Sequence, residues 1–400
     1  MKNIAIINSV DRGSTGKIGR ELLKNFLAKG YNTYFFYGRG AVSSDPHLIR
    51  FNNPLDAKVH VVMGKILGLS DNFSCISTAK LISKLRELQI DTIYMICPHG
   101  FYLNENLFYD YCAKDDIHLI HTMIDEYTYL GKCTNEPCCD TWKTGKGKCP
   151  EKSRYPASMT FDTCTYFLKR KAKNYGKVKR LLFVGPQFLV DRSKDAYLRQ
   201  YMKMVHLDEA INLDLYRPRN VETLLRKHNI DGQKKIILFA GGQGKHPEYF
   251  TELARRFEND PDYCFVHVGY KGDGASLPAN YITIGFVESD EEFASYYALA
   301  DLFVFPSTMD CMPNTCLEAL ACGTPILVFD ISGLPYLIDR NNPVLGAIVP
   351  PCDIDAMKEV VSHVSKKTEE NIKVCREYAE ERYDNKKYIN RLIAITKENE

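Results

Sequence analysis

The sequence predicts an α/β protein built on parallel sheets, and three observations carry that prediction. Residues 301–335, DLFVFPSTMDCMPNTCLEALACGTPILVFDISGLP, pack a buried strand, a polar turn, a short helix, a second buried strand and a glycine turn into little space. A strand–helix–strand unit of this kind belongs to a parallel sheet. Residues 3–27 read as strand, glycine loop and helix, and residues 234–257 repeat that order. A chain of 400 residues is long enough for two to three domains. Each strand–glycine loop–helix therefore opens one nucleotide-binding-like half.

In chain order, residues 3–9 form the first strand, the loop DRGSTG spans 11–16, and a helix is expected over 17–27. GSTGK suggests a phosphate-binding loop, but Asp11 replaces its first glycine and Ile18 its Ser or Thr, so that reading fails. Gly13, Ser14, Thr15 and Gly16 are small enough to let a ligand reach the backbone, and they also suit a tight turn. A strand follows at 31–37, then amphipathic helices at 57–67 and 78–88. A buried strand at 91–96 ends in Cys97-Pro98-His99-Gly100. His99 thus stands at a strand's carboxyl end, where sites are built in such sheets, although a backbone-satisfied loop histidine fits the same place. Residues 117–123 form another strand, with Asp125 just past its end.

Residues 131–150 read as a long polar loop with Cys133, Cys138, Cys139, Cys149 and the single tryptophan, Trp142. Four thiols suggest zinc, but there is no C-x2-C pair and no nearby histidine. Free thiols and a disulfide stay open. Residues 165–180 carry Lys169, Arg170, Lys171, Lys173, Lys177, Lys179 and Arg180 with no acid among them, interleaved with Tyr166, Phe167 and Tyr175. An anionic membrane face, a lipid-diphosphate acceptor or a solvated helix face all fit. Nucleic acid does not, because the chain is near neutral and carries no accompanying motif. A strand at 180–184 and a helix at 188–204 complete this half. The boundary falls at 210–219, dividing the chain into 1–212 and 213–400.

The second half opens with a strand at 234–239, the loop Ala240-Gly241-Gly242-Gln243-Gly244-Lys245 and a helix at 247–257. Strands at 263–269 and 282–287 and a helix at 291–300 lead into 301–335. Helices at 353–364 and from about 371 close the chain. Within 301–335, Pro313 and Asn314 start a helix over 315–322 that Gly323 ends. Free N–H groups near Asn314, Thr315 and Cys316 could hold a diphosphate. Asp310 and Glu318 flank that point. Like charges repel, so these acids suit neutral hydroxyls of a ribose and a sugar. They also suit a turn cap and a helix N-terminus.

Bulk properties narrow the classes. Hydrophobic residues are 45% and charged residues 26%, ordinary for a globular chain. The formal net charge of +2 requires any electrostatic partner to be met by a local patch. No apolar stretch reaches transmembrane length, and the first strand does not read as a signal peptide. Fourteen cysteines without such a signal point to a reducing, cytoplasmic setting.

The D-x7-E pair followed by ALACGTPILVFD resembles the E-x7-E region of family 4 glycosyltransferases, retaining enzymes of the GT-B fold. Their usual form is P-S-x-x-E-x7-E-A-x-A-x-G-x-P. Here Pro306, Ser307, Asp310, Glu318, Ala319, Ala321, Gly323 and Pro325 fill it, with Asp for the first acid. PHGFYLN resembles the HGYYLN segment of a bacterial subset, the surface-polysaccharide type. The resemblance implies two Rossmann-like domains facing across a cleft, with the terminal helix packing partly on the first. It implies a UDP- or GDP-sugar donor on the second domain and a glycan or lipid-linked acceptor on the first. The reaction would be hexosyl or related transfer with retention, with no required cofactor or catalytic metal.

The resemblance gives His99, Asp310 and Lys245 catalytic roles. It gives the donor to Glu318, Gly241, Gly242, Lys245, Phe286, Val287, Pro313, Asn314 and Thr315. Gly13, Ser14, Thr15, Gly16 and Asp125 fall at the cleft or acceptor. Gly242 stands where relatives carry Arg, Ile124 where they carry His, and Tyr336 where they carry Glu. Those departures keep open a non-catalytic sugar-nucleotide-binding protein. A nucleotide-sugar epimerase of the same fold is the other alternative. The basic stretch 165–180 adds the expectation of contact with the inner face of the cytoplasmic membrane.

Overall fold

The computed structural model describes residues 3–135, 139–272 and 277–399. The chain divides into two compact units, Met1–Leu207 with Ile389–Glu400, and Asp208–Tyr388.

The first unit holds strands β1 (Asn3–Val10), β2 (Asn32–Arg39), β3 (Leu48–Arg50), β4 (Thr92–Met95), β5 (His118–Thr122), β6 (Leu181–Gly185) and β7 (Met204–His206). They form one parallel sheet in the order β3-β2-β1-β4-β5-β6-β7. Its helices are α1 (Gly13–Ala28), α2 (Pro54–Leu67), α3 (Cys75–Glu87), α4 (Glu105–Lys114), α5 (Thr141–Thr144), α6 (Cys164–Tyr175) and α7 (Gln187–Ser193). Parallel strands are covered on both faces and therefore read as unbroken apolar runs. Ile4, Ala5, Ile6 and Ile7 in β1 are all buried.

Two expectations need correction here, and one helix was not expected. α1 begins at Gly13, so Gly13, Ser14, Thr15 and Gly16 form a first helical turn rather than a loop. Gly13 takes φ +73°, and a Cβ on Gly16 would collide with the Asp11 backbone, so both glycines are needed for the sharp entry. The helix expected over 188–204 stops at Ser193, whose hydroxyl donates to the Val190 carbonyl. A short 3₁₀ turn, Tyr197–Tyr201, and the edge strand β7 take the rest. α4 has no counterpart among the expected elements; its buried Phe108, Tyr109 and Tyr111 are poor helix formers by propensity but pack into the core.

The second unit holds β8 (Lys235–Ala240), β9 (Tyr263–Val268), β10 (Tyr281–Ile284), β11 (Leu302–Phe305), β12 (Ile326–Phe329) and β13 (Gly346–Val349). This sheet is also parallel, in the order β10-β9-β8-β11-β12-β13. Its helices are α8 (Glu222–Lys227), α9 (Pro247–Arg255), α10 (Asp290–Leu299), α11 (Asn314–Ala321), α12 (Ile354–Ser362) and α13 (Glu369–Arg382), and α14 (Asn385–Glu398) follows. Phe239, Phe250 and Phe265 pack with tilted rings within its core. From residue 389 onward α14 belongs to the first unit. There Ile389, Leu392 and Ile395 are buried and the Tyr94 and Thr396 hydroxyls lie 2.9 Å apart.

Each sheet reverses its strand order beside its own first strand, between β1 and β4 and between β8 and β11. Ligands of open parallel sheets bind beyond the carboxyl ends at such a switch point. Among the described residues, no helix is long and apolar enough to cross a membrane.

Candidate functional site

At the switch point of the second unit, β8 runs out into Gly241 and Gly242, and β11 runs out into the turn carrying Asp310. Gly241 has φ +151°, and its carbonyl lies 2.9 Å from His267 Nε2. A 3₁₀ turn then brings Lys245 round, with its N–H 3.0 Å from the Gly242 carbonyl. Lys245 Nζ pairs with Asp310 Oδ2, and its ammonium sits 5.3 Å from the Phe305 ring centroid. The pair is partly open to water, with side chains 38% and 19% exposed. Asp310 is fixed from behind, because its carbonyl accepts the Gly333 N–H at 3.0 Å. A Cβ on Gly333 would collide with the Cys311 carbonyl, so only glycine closes this turn.

α11 starts two residues past Met312. Its N-cap, Pro313, offers no side-chain acceptor, so no side chain caps the helix. Asn314 Oδ1 and Thr315 Oγ1 are buried without a hydrogen-bond partner. An uncapped helix start with two unsatisfied side-chain oxygens can receive an anion and its attached hydroxyls. Glu318, one turn on, accepts from the Tyr297 hydroxyl at 2.9 Å. Burial and the neighbouring Glu318 push the Tyr297 and Tyr216 phenols well above their usual range, which keeps both as hydrogen-bond donors. Phe286 is 79% exposed and Val287 half-buried; β10 ends at Ile284, three residues short of the expected strand end.

His246 was not singled out from the sequence. It adopts φ +58°, with Nδ1 2.8 Å from Glu248 Oε1 and Nε2 2.9 Å from Thr308 Oγ1, tying the Lys245 turn to the turn before Asp310. Its position directly after Lys245 was the available signal.

At the switch point of the first unit, His99 Nε2 lies 2.7 Å from Asp125 Oδ2 and 3.3 Å from Cys97 Sγ, and Nδ1 lies 3.4 Å from the Tyr155 hydroxyl. The other Asp125 oxygen accepts the Tyr127 N–H at 3.0 Å. Burial pushes the imidazolium down, but Cys97 and Asp125 outweigh it, and His99 ionises well above its ordinary range. In the first turn of α1, Thr15 Oγ1 accepts from Asn8 Nδ2 at 3.0 Å, while Arg20 binds the Asp11 carboxylate at 2.8 Å. His99 and Asp125 are thus brought together; Ser14 and Thr15 lie on the helix that follows β1.

The basic stretch does not form the surface expected of it. Arg170 is buried and pairs with Asp71 and Glu105. Lys171 is fully buried; its ammonium donates to the carbonyls of Leu130 and Gly131 at 3.0 and 2.9 Å and to that of Tyr127. Lys177 pairs with Asp110. Only Lys169, Lys173 and Lys179 are exposed. The loop at 131–150 is likewise more interior than its composition suggests. Lys132, Cys133, Trp142 and Cys149 are buried, and Lys132 Nζ donates to the carbonyls of Lys152, Arg154 and Pro156. Cys138 lies outside the described residues. Cys164, which the sequence reading passed over, is pushed up to about 12 by burial and by nearby Cys139, Cys133 and Cys149. Among the described residues, no three His, Cys, Asp or Glu side chains are placed to hold a metal ion.

Residues 220–382, nearly the whole second unit, match the family described as glycosyl transferases group 1. Over those residues the chain is similar to that family, and its two parallel-sheet Rossmann-like units have structural neighbours of the GT-B fold. It is similar to the alpha-galactosylglucosyldiacylglycerol synthase of Streptococcus pneumoniae, 27% identical over 54% of this chain and 63% of that one. The chain thus spans under two thirds of that relative's length. It is also similar to the putative colanic acid biosynthesis glycosyl transferase WcaC of Escherichia coli, 22% identical over 79% of this chain and 80% of that one. The fold matches Anabaena Alr3699/HepE, solved in complex with UDP-glucose, with a TM-score of 0.66, 12% identity and full coverage of both chains.

Proposed function

We propose that the chain transfers a hexosyl or related sugar, with retention, from a nucleoside-diphosphate sugar to a hydroxyl of a glycan or lipid-linked acceptor. The observation that carries this reading is the Lys245–Asp310 pair beside the uncapped start of α11, where Asn314 and Thr315 present unsatisfied oxygens. The diphosphate lies against the first N–H groups of α11 and exchanges with Asp310 for Lys245. Glu318 takes the ribose hydroxyls, and Asp310 a hydroxyl of the donor sugar. Gly241, Gly242 and Pro313 keep side chains out of the phosphate's approach, and residues 285–287 border the base.

As the bond from the anomeric carbon to the phosphate oxygen breaks, negative charge grows on the leaving diphosphate. Lys245 and the helix N–H groups meet that charge as it develops. The acceptor hydroxyl bonds to the anomeric carbon on the same face and passes its proton to a phosphate oxygen. In the first unit, His99 and Asp125 are the groups assigned to the sugar and the acceptor hydroxyl.

UDP is the first nucleotide to test, since Alr3699/HepE was solved with UDP-glucose. The names of the two relatives support a glycolipid or polysaccharide product. The test is a thermal-shift screen against UDP, GDP, ADP and their sugars, because a ligand of the folded state raises the melting temperature. One nucleotide and its sugar should give a clear rise, and that sugar should then turn over. No rise with any of them overturns the reading. A rise without transfer to any acceptor tried assigns the chain to binding alone.

A further inference from the structure

Helix α2 turns an apolar face to solvent. Leu55, Val59, Val62 and Ile66 are 70%, 47%, 54% and 39% exposed. At 3.6 residues per turn they fall within an arc of about 60°. The opposite face is anchored. His60 is buried, with Nδ1 2.8 Å from Ser74 Oγ and Nε2 2.8 Å from the Ser70 carbonyl. A Cβ on Gly64 would stand 2.8 Å from the Phe101 ring, so the helix already sits as close as glycine permits. The rotation of α2 is therefore set from beneath, and its apolar stripe has no route inward.

A second segment lengthens the stripe. The Met159 N–H donates to the Lys65 carbonyl at 2.8 Å, Thr160 Oγ1 donates to the Ile66 carbonyl, and Thr163 Oγ1 donates to the Gly68 carbonyl at 2.7 Å. These bonds hold Met159 and Phe161, 73% and 59% exposed, at the carboxyl end of α2. Single exposed apolar residues need no explanation, but six along one helix and past its end mark an interaction surface.

The charges around the stripe select the partner. Lys58 and Lys65 are exposed along one edge, and Lys152 is exposed beside Thr160, to whose carbonyl it donates at 3.1 Å. The acids of the same segments are hydrogen-bonded to backbone N–H groups of neighbouring segments. Asp56 accepts the Ser77 N–H at 2.8 Å, and the two oxygens of Asp162 accept the N–H groups of Cys149 and Cys164 at 2.7 and 3.0 Å. An apolar stripe edged by lysines fits the headgroup layer of an anionic bilayer. A symmetric contact with a second copy would set the same lysines against each other.

We propose that α2 together with residues 159–161 docks the protein on an anionic lipid surface, in place of the largely interior stretch 165–180. This builds on the lipid-linked acceptor of the proposed function, but docking is measured without nucleotide or sugar. The full chain is sedimented with phosphatidylcholine vesicles with and without phosphatidylglycerol, at low salt. It should pellet with the anionic vesicles. Val59→Asp/Val62→Asp, at exposed positions, should weaken binding about tenfold or more and keep the wild-type melting temperature. Lys58→Ser and Lys65→Ser should each cost roughly fivefold on anionic vesicles only. Lys169→Ser/Lys173→Ser should pellet like wild type. Wild-type protein that stays in solution, or a Val59→Asp/Val62→Asp protein that still pellets, overturns the proposal. So does a vesicle-free dimer that Val59→Asp/Val62→Asp dissolves, because the face would then belong to a second copy.

Discussion

Arg170 in the first unit and Lys245 in the second are both cations paired with carboxylates, in units whose sheets share a six-strand order to which the first adds β7. Arg170 and its partner Asp71 are 6% and 1% exposed, whereas Lys245 and Asp310 are 38% and 19% exposed. A buried pair cannot give up a partner without leaving a charge stranded in the interior. A half-open pair can, since water or a ligand takes the vacated place. The first unit therefore uses its charge to fix α6 against α4, and the second keeps its charge within a ligand's reach. Substitutions at the two cations should give opposite phenotypes.

The largest effect is expected from Arg170→Met. It strands Asp71 and Glu105 and should cost about 3 kcal/mol of stability or more in urea unfolding. Burial and Asp71 already push the Glu105 carboxyl up to about 8, against the pull of Arg170. Without Arg170 it rises further, so the loss should be smaller at pH 6, where the carboxyl takes a proton, than at pH 9. The protein that remains folded should bind nucleotide like wild type. A stability loss well under 1 kcal/mol would remove the contrast between the two pairs.

Lys245→Ala should do the reverse. Loss of a positioned charge on the leaving group typically lowers turnover about 10²–10³-fold, while a half-exposed pair contributes about 0–1 kcal/mol to stability. Steady-state rates and a melting curve on one preparation decide it. A melting temperature that falls as far as that of Arg170→Met would mean that Lys245 is scaffolding too. Glu318→Ala comes next. A charge-assisted hydrogen bond is worth roughly 1.5–3 kcal/mol, or about 10–150-fold in nucleotide affinity by calorimetry. Glu318→Gln still accepts from Tyr297, so it separates support of the tyrosine from contact with the ribose. Equal affinity in both variants and wild type would leave Glu318 supporting Tyr297 and Tyr216 rather than contacting the ribose.

The contrast between the units also marks what could be read from residues. The buried strands were legible because parallel strands covered on both faces show as unbroken apolar runs, as in Leu302–Phe305 and Ile326–Phe329. The glycine turn before Lys245 and the turn carrying Asp310 were legible for the same reason, since each follows such a run. Arg170 was not, because Asp71 and Glu105 lie 99 and 65 residues away. Lys171 was still less so, because its partners are backbone carbonyls, which leave no mark in a sequence. Helix α2 shows a third limit. Its amphipathic pattern was visible, but periodicity alone does not tell which face is turned inward. His60 and Gly64 anchor it, while Leu55, Val59, Val62 and Ile66 face water.

The smallest effect expected belongs to the first unit's own switch point, where His99 contacts Asp125 and Cys97. Its folded pKa lies above the unfolded value near 6.5. The folded state therefore binds the proton more tightly. That stabilisation is complete below the unfolded value and is lost as pH rises through the folded one. Asp125→Asn removes one of the two groups that hold the charge, leaving Cys97, and keeps an oxygen for the Tyr127 N–H, now accepted at 3.0 Å, so the turn should persist. Urea unfolding at several pH values above 6.5 should show wild-type stability declining with a component that is smaller in Asp125→Asn. Lys245→Ala, in the other unit, should keep the wild-type slope. If Asp125→Asn keeps that slope as well, the charge on the imidazole does not rest on Asp125, and the His99–Asp125 contact only orients the ring. The two switch points would then differ in kind, with Asp310 paired to its cation and Asp125 only orienting a ring whose charge rests on Cys97.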